Sequence, residues 1–152
     1  MKNINKLFIL VCCLAGLGCD KDQKLVSEIA GEYKVESIIN YDNGQSTNLT
    51  ITAGTIFFDD CTMKDGVGGN CTGWYDVNGS GRVNFQYYTR KEGGSKTIRI
   101  SNPMPVKEPQ IIGYYKFDKD ASFTLLNGIE GSTDAANGVS YSDYSVIKLS
   151  KK

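Results

Sequence analysis

Glu32-Tyr33-Lys34-Val35-Glu36-Ser37-Ile38-Ile39 decides the fold class. On an extended chain Tyr33, Val35 and Ile39 share one face, and Glu32, Lys34 and Glu36 share the other. One apolar face at a period of two marks a half-buried antiparallel strand. Working outward, Asp42-Asn43-Gly44 is a turn signal, and a second strand follows near 47–52. Gly54 separates it from Thr55-Ile56-Phe57-Phe58. Further strand runs lie at 72–77, 82–89, 96–101, 110–117, 122–126 and 141–149. Asn78-Gly79 and Gly93-Gly94 supply the positive φ that tight hairpins need, and Asp118-Lys119-Asp120 forms a polar corner. Pro103, Pro105 and Pro109 cluster in one connection, where proline rules out a central strand.

No stretch carries helical periodicity over three turns, and there is no internal repeat. The best candidate for a helical turn, 131–137, reads equally as a loop. Eight or nine strands at hairpin spacing predict an all-β sandwich or closed barrel. Sequential hairpins favour an up-and-down antiparallel β-barrel of about eight strands, and closure removes the edges that so aromatic a sheet would expose.

Composition narrows the chemistry. The chain has 17 basic and 17 acidic residues, a balance with no electrostatic footprint for nucleic acid. Its 17 glycines, nine tyrosines and six phenylalanines suit short aromatic strands joined by tight turns. Histidine is absent, which removes the commonest general base and a principal zinc ligand. The chain is therefore expected not to be an enzyme and to carry no cofactor. An enzyme working with carboxylates alone would need two acidic side chains converging in a cleft.

The segment before the strands has a different character. Lys2 and Lys6 precede an apolar run, 7–17, and polarity returns abruptly at Asp20-Lys21-Asp22-Gln23-Lys24. That run suits a signal peptide and falls short of the roughly 20 residues of a spanning helix. Ala15-Gly16-Leu17-Gly18-Cys19 resembles the lipobox of bacterial lipoproteins, with leucine one position later than usual. The resemblance implies removal of 1–18 and lipidation of Cys19, against the alternatives of an ordinary secretory signal or an uncleaved anchor. Residues 19–28 then read as a lipidated polar tether, and 29–152 as the barrel domain. Asp20 and Asp22 also look like short acidic signals that send such lipoproteins to the cell surface, though a plain solvated linker has the same composition. With Cys12 and Cys13 discarded and Cys19 acylated, Cys61 and Cys71 remain as an even pair in an exported domain, where a disulfide is permitted.

Ile29-Ala30-Gly31-Glu32-Tyr33-Lys34-Val35 resembles the opening Gly-x-Trp strand of lipocalins, with Tyr33 where tryptophan is usual. With the lipobox, the Asp42-Asn43-Gly44 turn and the closing run Tyr144-Ser145-Val146-Ile147-Lys148-Leu149, it is similar to small lipocalin-like lipoproteins of the Bacteroidota type. That resemblance implies an eight-stranded barrel, sometimes with a central apolar cavity. The expected role is to bind a small apolar ligand or an envelope component, on a barrel lipid-anchored to the outer membrane at its periplasmic face or the cell surface. Candidate ligand-binding residues are Tyr33, Val35, Phe57, Trp74, Phe85, Tyr87 and Tyr114. The same aromatics can instead fill the core or form an exposed face, since neighbours such as Tyr87 and Tyr88 point to opposite sides of a strand. The rival expectation is a protein-binding inhibitor or immunity-type lipoprotein acting through a loop such as 59–82 or 103–109. Asp76-Val77-Asn78-Gly79-Ser80-Gly81 matches half of a calcium loop. Its twelfth position is Tyr87 where a bidentate glutamate is needed, so it reads as a hairpin turn and no metal is expected.

Overall fold

The computed structural model describes residues 21–42, 45–62, 71–92, 94–101, 111–119, 123–129, 132–134, 139–141 and 144–152. The expected signal segment 1–18, Cys19, Asp20 and the proline cluster at 103–109 lie outside the described residues. Helix α1 (Lys21–Ile29) comes first. Strands β1 (Gly31–Asp42), β2 (Gln45–Leu49), β3 (Gly54–Phe58), β4 (Cys71–Val77), β5 (Val83–Glu92) and β6 (Ser95–Ser101) follow. The chain continues through β7 (Gly113–Lys119), β8 (Thr124–Gly128), β9 (Ser132–Asp134), β10 (Val139–Tyr141) and β11 (Tyr144–Lys151).

Strands β1, β3, β4, β5, β6, β7, β8 and β11 pair in that order, and β11 returns to β1. Every pairing is antiparallel. The result is the all-β, closed up-and-down barrel that the alternation predicts. Each strand run read from the sequence has its counterpart in the nine-stranded main sheet. The ninth member, β2, pairs with Ile38–Asp42 of β1, while β3 takes Gly31–Lys34 on the same edge. Ser132–Asp134 is a strand paired with Val139–Tyr141, so these three residues of the helical turn considered for 131–137 are extended, and 131 and 135–137 lie outside the described residues.

The deciding stretch contains one change of parity. Val35 pairs with Leu149, but Ser37 pairs with Lys148, which leaves Glu36 as the extra residue of a β-bulge. Beyond it the faces exchange, so Ile38 is buried and Ile39 is only half-buried, the reverse of unbroken alternation. Ser150 Oγ and Lys34 Nζ, the latter at 2.9 Å, donate to the Glu36 carboxylate and hold its pKa below the usual glutamate range. A depressed native pKa gives stability that is present above the unfolded value of about 4.3 and is lost as pH falls through the native value. The stability difference between wild type and Glu36→Gln is therefore expected to be largest at neutral pH and to shrink in acid. Thermal unfolding measured across that range checks this, and a difference independent of pH would contradict it.

Inside, aromatic rings interlock. The Phe58 ring meets Tyr33, Phe85 and Tyr87 edge-on at 6.1, 5.5 and 5.2 Å between centroids. Tyr75 stacks on Phe85 at 6.3 Å, and Tyr115 and Phe117 complete the aromatic lining. Outward positions such as Glu32, Lys34, Thr72, Asn84, Gln86, Arg90 and Lys116 are exposed. Apolar inside and polar outside is the reverse of a membrane-spanning barrel. No helix among the described residues is long and apolar enough to cross a membrane.

One end of the barrel is closed by α1, so 21–28 is a docked helix where the sequence suggested a polar tether. Leu25, Val26 and Ile29 are buried in the core. Thr89 Oγ1 donates to the Asp22 carbonyl at 3.1 Å, and the Lys91 amide donates to Asp22 Oδ1 at 2.9 Å. Gln23 Nε2 donates to the Cys61 carbonyl at 2.9 Å, and Lys96 pairs with Glu28. The same end holds the disulfide between Cys61 and Cys71, with Cα atoms 5.6 Å apart, which ties the exit of β3 to the first residue of β4. Closing this short loop restricts the unfolded chain, a stabilisation of about 2–4 kcal/mol.

Candidate functional site

The seven residues proposed to line a cavity do not converge. Tyr33, Val35, Phe85 and Tyr87 point inward and are at most 2 % exposed. Phe57, Trp74 and Tyr114 alternate with inward neighbours and lie half-buried on the outer face.

The inward tyrosines are occupied with structure. Tyr33 donates its hydroxyl to the Ile29 carbonyl at the end of α1, 2.8 Å away. Burial pushes its pKa up, against a hydrogen bond with Thr124 that lowers it. Tyr87 donates to the Asp59 carbonyl, just after β3. Burial, with the nearby carboxylates of Asp59 and Asp60, holds its phenol far above the usual tyrosine range. Both phenols are thus neutral donors at physiological pH, and each ties an interior strand to the closed end. Among the described residues every inward ring is nearly sealed from solvent.

The outward aromatics form two groups. On β3 and β4, register pairs Phe57 with Trp74, and their rings stack at 6.0 Å. Arg82, just before β5, sets its guanidinium 3.9 Å from the Trp74 ring centre, a cation–π contact. Across β5, β6 and β7, register aligns Tyr88, Arg99 and Tyr114 in one row. Arg99 lies 6.0 Å from the Tyr88 ring centre and 5.2 Å from that of Tyr114. Trp74 faces Asn84 on β5, and Tyr88 is four residues further along that strand, about 13 Å away at strand rise. Asn84 and Gln86, both exposed, lie between the groups.

No family model, curated protein or solved structure matches this chain. Its site must therefore be read from its own side chains. Trp, Tyr and Arg are the types that dominate binding energy at protein interfaces, because each combines a large apolar surface with a polar handle. Sequence reasoning offered Trp74, Tyr75, Tyr87, Tyr88, Tyr114 and Tyr115 for either a cavity or an exposed face, counted Trp74 and Tyr114 among the ligand-binding residues, and missed Arg82 and Arg99 as partners of the outward rings. Alternation places Arg99 outside, yet only register reveals that it sits between two tyrosines.

The calcium-like run resolves into a turn. Asn78 and Gly79 have φ of 55° and 70°, and the Ser80 amide bonds back to the Val77 carbonyl at 3.1 Å. The Asn78 side chain is committed elsewhere. It accepts from the Thr52 amide at 2.8 Å and donates to the Thr50 carbonyl at 2.7 Å, clamping the segment before β3. Among the described residues no three Cys, Asp or Glu side chains gather as a metal site would require.

Proposed function

We propose that this protein is a non-catalytic, lipid-anchored envelope protein, processed before Cys19, that recognises a partner protein through the outer face of β3–β7. The observation carrying this reading is the division of its aromatics. The inner rings pack against one another and bind backbone carbonyls at the closed end. The outer rings are paired with arginines on a solvent-facing sheet. A small apolar ligand would have to displace packed rings, which is costly in an interior at crystal-like density. A partner need only cover a surface already ordered. The exposed Arg82 beside Trp74 fits a partner that offers a carboxylate beside an apolar ledge. An inhibitor or immunity-type role against an envelope enzyme has this form, and the lipid on Cys19 would hold the module where such an enzyme acts.

A photo-crosslinking residue at Asn84, between the two groups, tests the reading in cells carrying the full chain. One discrete adduct is expected, absent when the same residue replaces Asn48 on β2. Trp74→Ala should weaken that adduct by about thirty-fold, the usual consequence of losing an interface tryptophan worth about 2 kcal/mol, with the unfolding midpoint little changed. Native mass spectrometry of the same preparation reads the acyl mass on Cys19. Retention of an apolar ligand, or an adduct indifferent to Trp74→Ala, would overturn the proposal.

A further inference from the structure

At the closed end a second feature is unused by the outer face. Between the start of β6 and the end of β7 lies a cleft of about 320 Å³, bordered by Gly94, Lys96, Lys116, Asp118 and Lys119. This is the lower end of the size range of ligand clefts, roughly 300–1,000 Å³. Three lysines therefore line one small concavity, with Asp118 among them.

Two carboxylates, Glu28 and Asp118, lie at or beside the cleft, and the three lysines outnumber them. Lys96 is held by Glu28 of α1, which fixes its ammonium in place. Asp118 accepts from Asn127 Nδ2 at 3.2 Å on the neighbouring β8. Lys116 and Lys119 are exposed and have no carboxylate partner among the described residues. The cleft thus presents two uncommitted ammonium donors beside a third held by Glu28. A compact anion with several oxygens can take hydrogen bonds from several such donors at once, as phosphate does with lysines.

Position adds a second argument. Helix α1 begins two residues after Cys19, and its Glu28 reaches Lys96 at the cleft. Two extended residues span about 7 Å, and the helix from Lys21 to Glu28 rises about 11 Å. An acyl group on Cys19 would therefore enter the bilayer within about 20 Å of the cleft. Three further contacts pin α1 to the barrel, so this spacing is set by a docked helix.

We propose that the Lys96–Lys116–Lys119 cleft binds the phosphate group of an anionic lipid head group in the membrane that carries the protein. The head-group source rests on the anchored reading above, whereas the phosphate site itself does not. The other source of the same chemistry is free phosphate.

The test follows backbone amide shifts of Gly94, Lys116 and Lys119 in the full chain, extracted from membranes into an uncharged detergent. Inorganic phosphate is titrated first. The chain is then placed in lipid nanodiscs of phosphatidylcholine alone or containing phosphatidylglycerol. The proposal expects these amides to move with phosphate, and to move in phosphatidylglycerol discs without it. In Lys116→Gln/Lys119→Gln the half-saturating phosphate should rise about twenty-five-fold, on the scale of about fivefold per lysine. Lys34→Gln/Lys148→Gln removes the same charge from β1 and β11 and should leave the midpoint unchanged. Both positions of the test variant are exposed, so its unfolding midpoint should match wild type, and Lys116→Gln alone should show about a fivefold rise. Response to phosphate but not to phosphatidylglycerol supports the site and assigns it to the free ion. Amides that stay still in both arms, or that respond equally in the test and control variants, overturn it. The acyl mass on Cys19 is read on the same sample, so failure of the anchor and failure of the cleft are separate results.

Discussion

Gly73→Val is expected to leave no stably folded barrel at room temperature, and Gly73→Ala to lower the unfolding midpoint by about 10 °C. Gly73 sits in β4 facing the interior, opposite Phe58 of β3 and Phe85 of β5. A Cβ there would lie 2.4 Å from the Phe57 carbonyl oxygen and 2.4 Å from Phe85 Cζ. Neither neighbour can yield cheaply. The carbonyl is backbone in a paired strand, and the Phe85 ring is hemmed by Phe58, Tyr75 and Tyr87. Overpacking a filled core costs about 1–3 kcal/mol and sometimes more. Two simultaneous clashes put alanine near the top of that range, at about 3 kcal/mol. Valine adds two methyl groups where no space exists, against a total stability of about 5–15 kcal/mol. Glycine is required here for space, because Gly73 is not among the residues with positive φ. Thermal unfolding by circular dichroism measures both variants. Adding Phe85→Leu to Gly73→Ala should recover only part of the loss, since the carbonyl clash remains. Wild-type stability in Gly73→Ala would show that the Phe85 ring has another place to go.

This requirement was not legible in the sequence. Thr72-Gly73-Trp74-Tyr75 reads correctly as a strand, but nothing local says which ring will lie across from the glycine. The runs did reveal every strand of the main sheet, the barrel strands by their one apolar face and β2, exposed along nearly its whole length, by the turn before it. They failed at Ile38-Ile39, where two equivalent residues hide the bulge at Glu36 and the sequence offers no reason to choose between them. The disulfide was legible by elimination among five cysteines. The outer aromatic face was half legible: parity separates Trp74 from Tyr75 and Tyr114 from Tyr115, while the pairing with Arg82 and Arg99 depends on loop geometry and strand register. The lysine cleft is the same case, since Lys96 and Lys116 are distant in sequence and meet only because β6 pairs with β7. Helix α1 escaped because it spans just nine residues and carries three buried apolar side chains amid charge. An isolated helix of that length is marginal in water, so it exists by docking, which no local pattern announces.

Docking of α1 makes the second large effect predictable. Val26 is completely buried between α1 and the barrel, and Val26→Asp would place a carboxylate there without a partner. An uncompensated buried charge costs about 3–5 kcal/mol. The chain has a cheaper response than global unfolding, which is to release the helix and hydrate the aspartate. The expected product is a barrel that keeps its sheet but loses its closed end. Three amides report this. Lys91 donates to Asp22 Oδ1 and Ala30 donates to the Val26 carbonyl, so both should exchange with solvent much faster than in wild type. The amide of Asp59, paired with the Thr72 carbonyl beyond the helix, should keep its protection. The unfolding midpoint should fall by about 10 °C, as Tyr33 and Thr89 lose the backbone carbonyls of α1 that accept their hydroxyls. In the anchored reading the same change turns a rigid mount into a loose tether. Val26→Asp should then also abolish the amide shifts at Lys116 and Lys119 in phosphatidylglycerol discs, while leaving the crosslink at Asn84 intact. Slow exchange at Lys91 in Val26→Asp would mean that α1 is held by its polar contacts alone, and the buried valine would lose its assigned role.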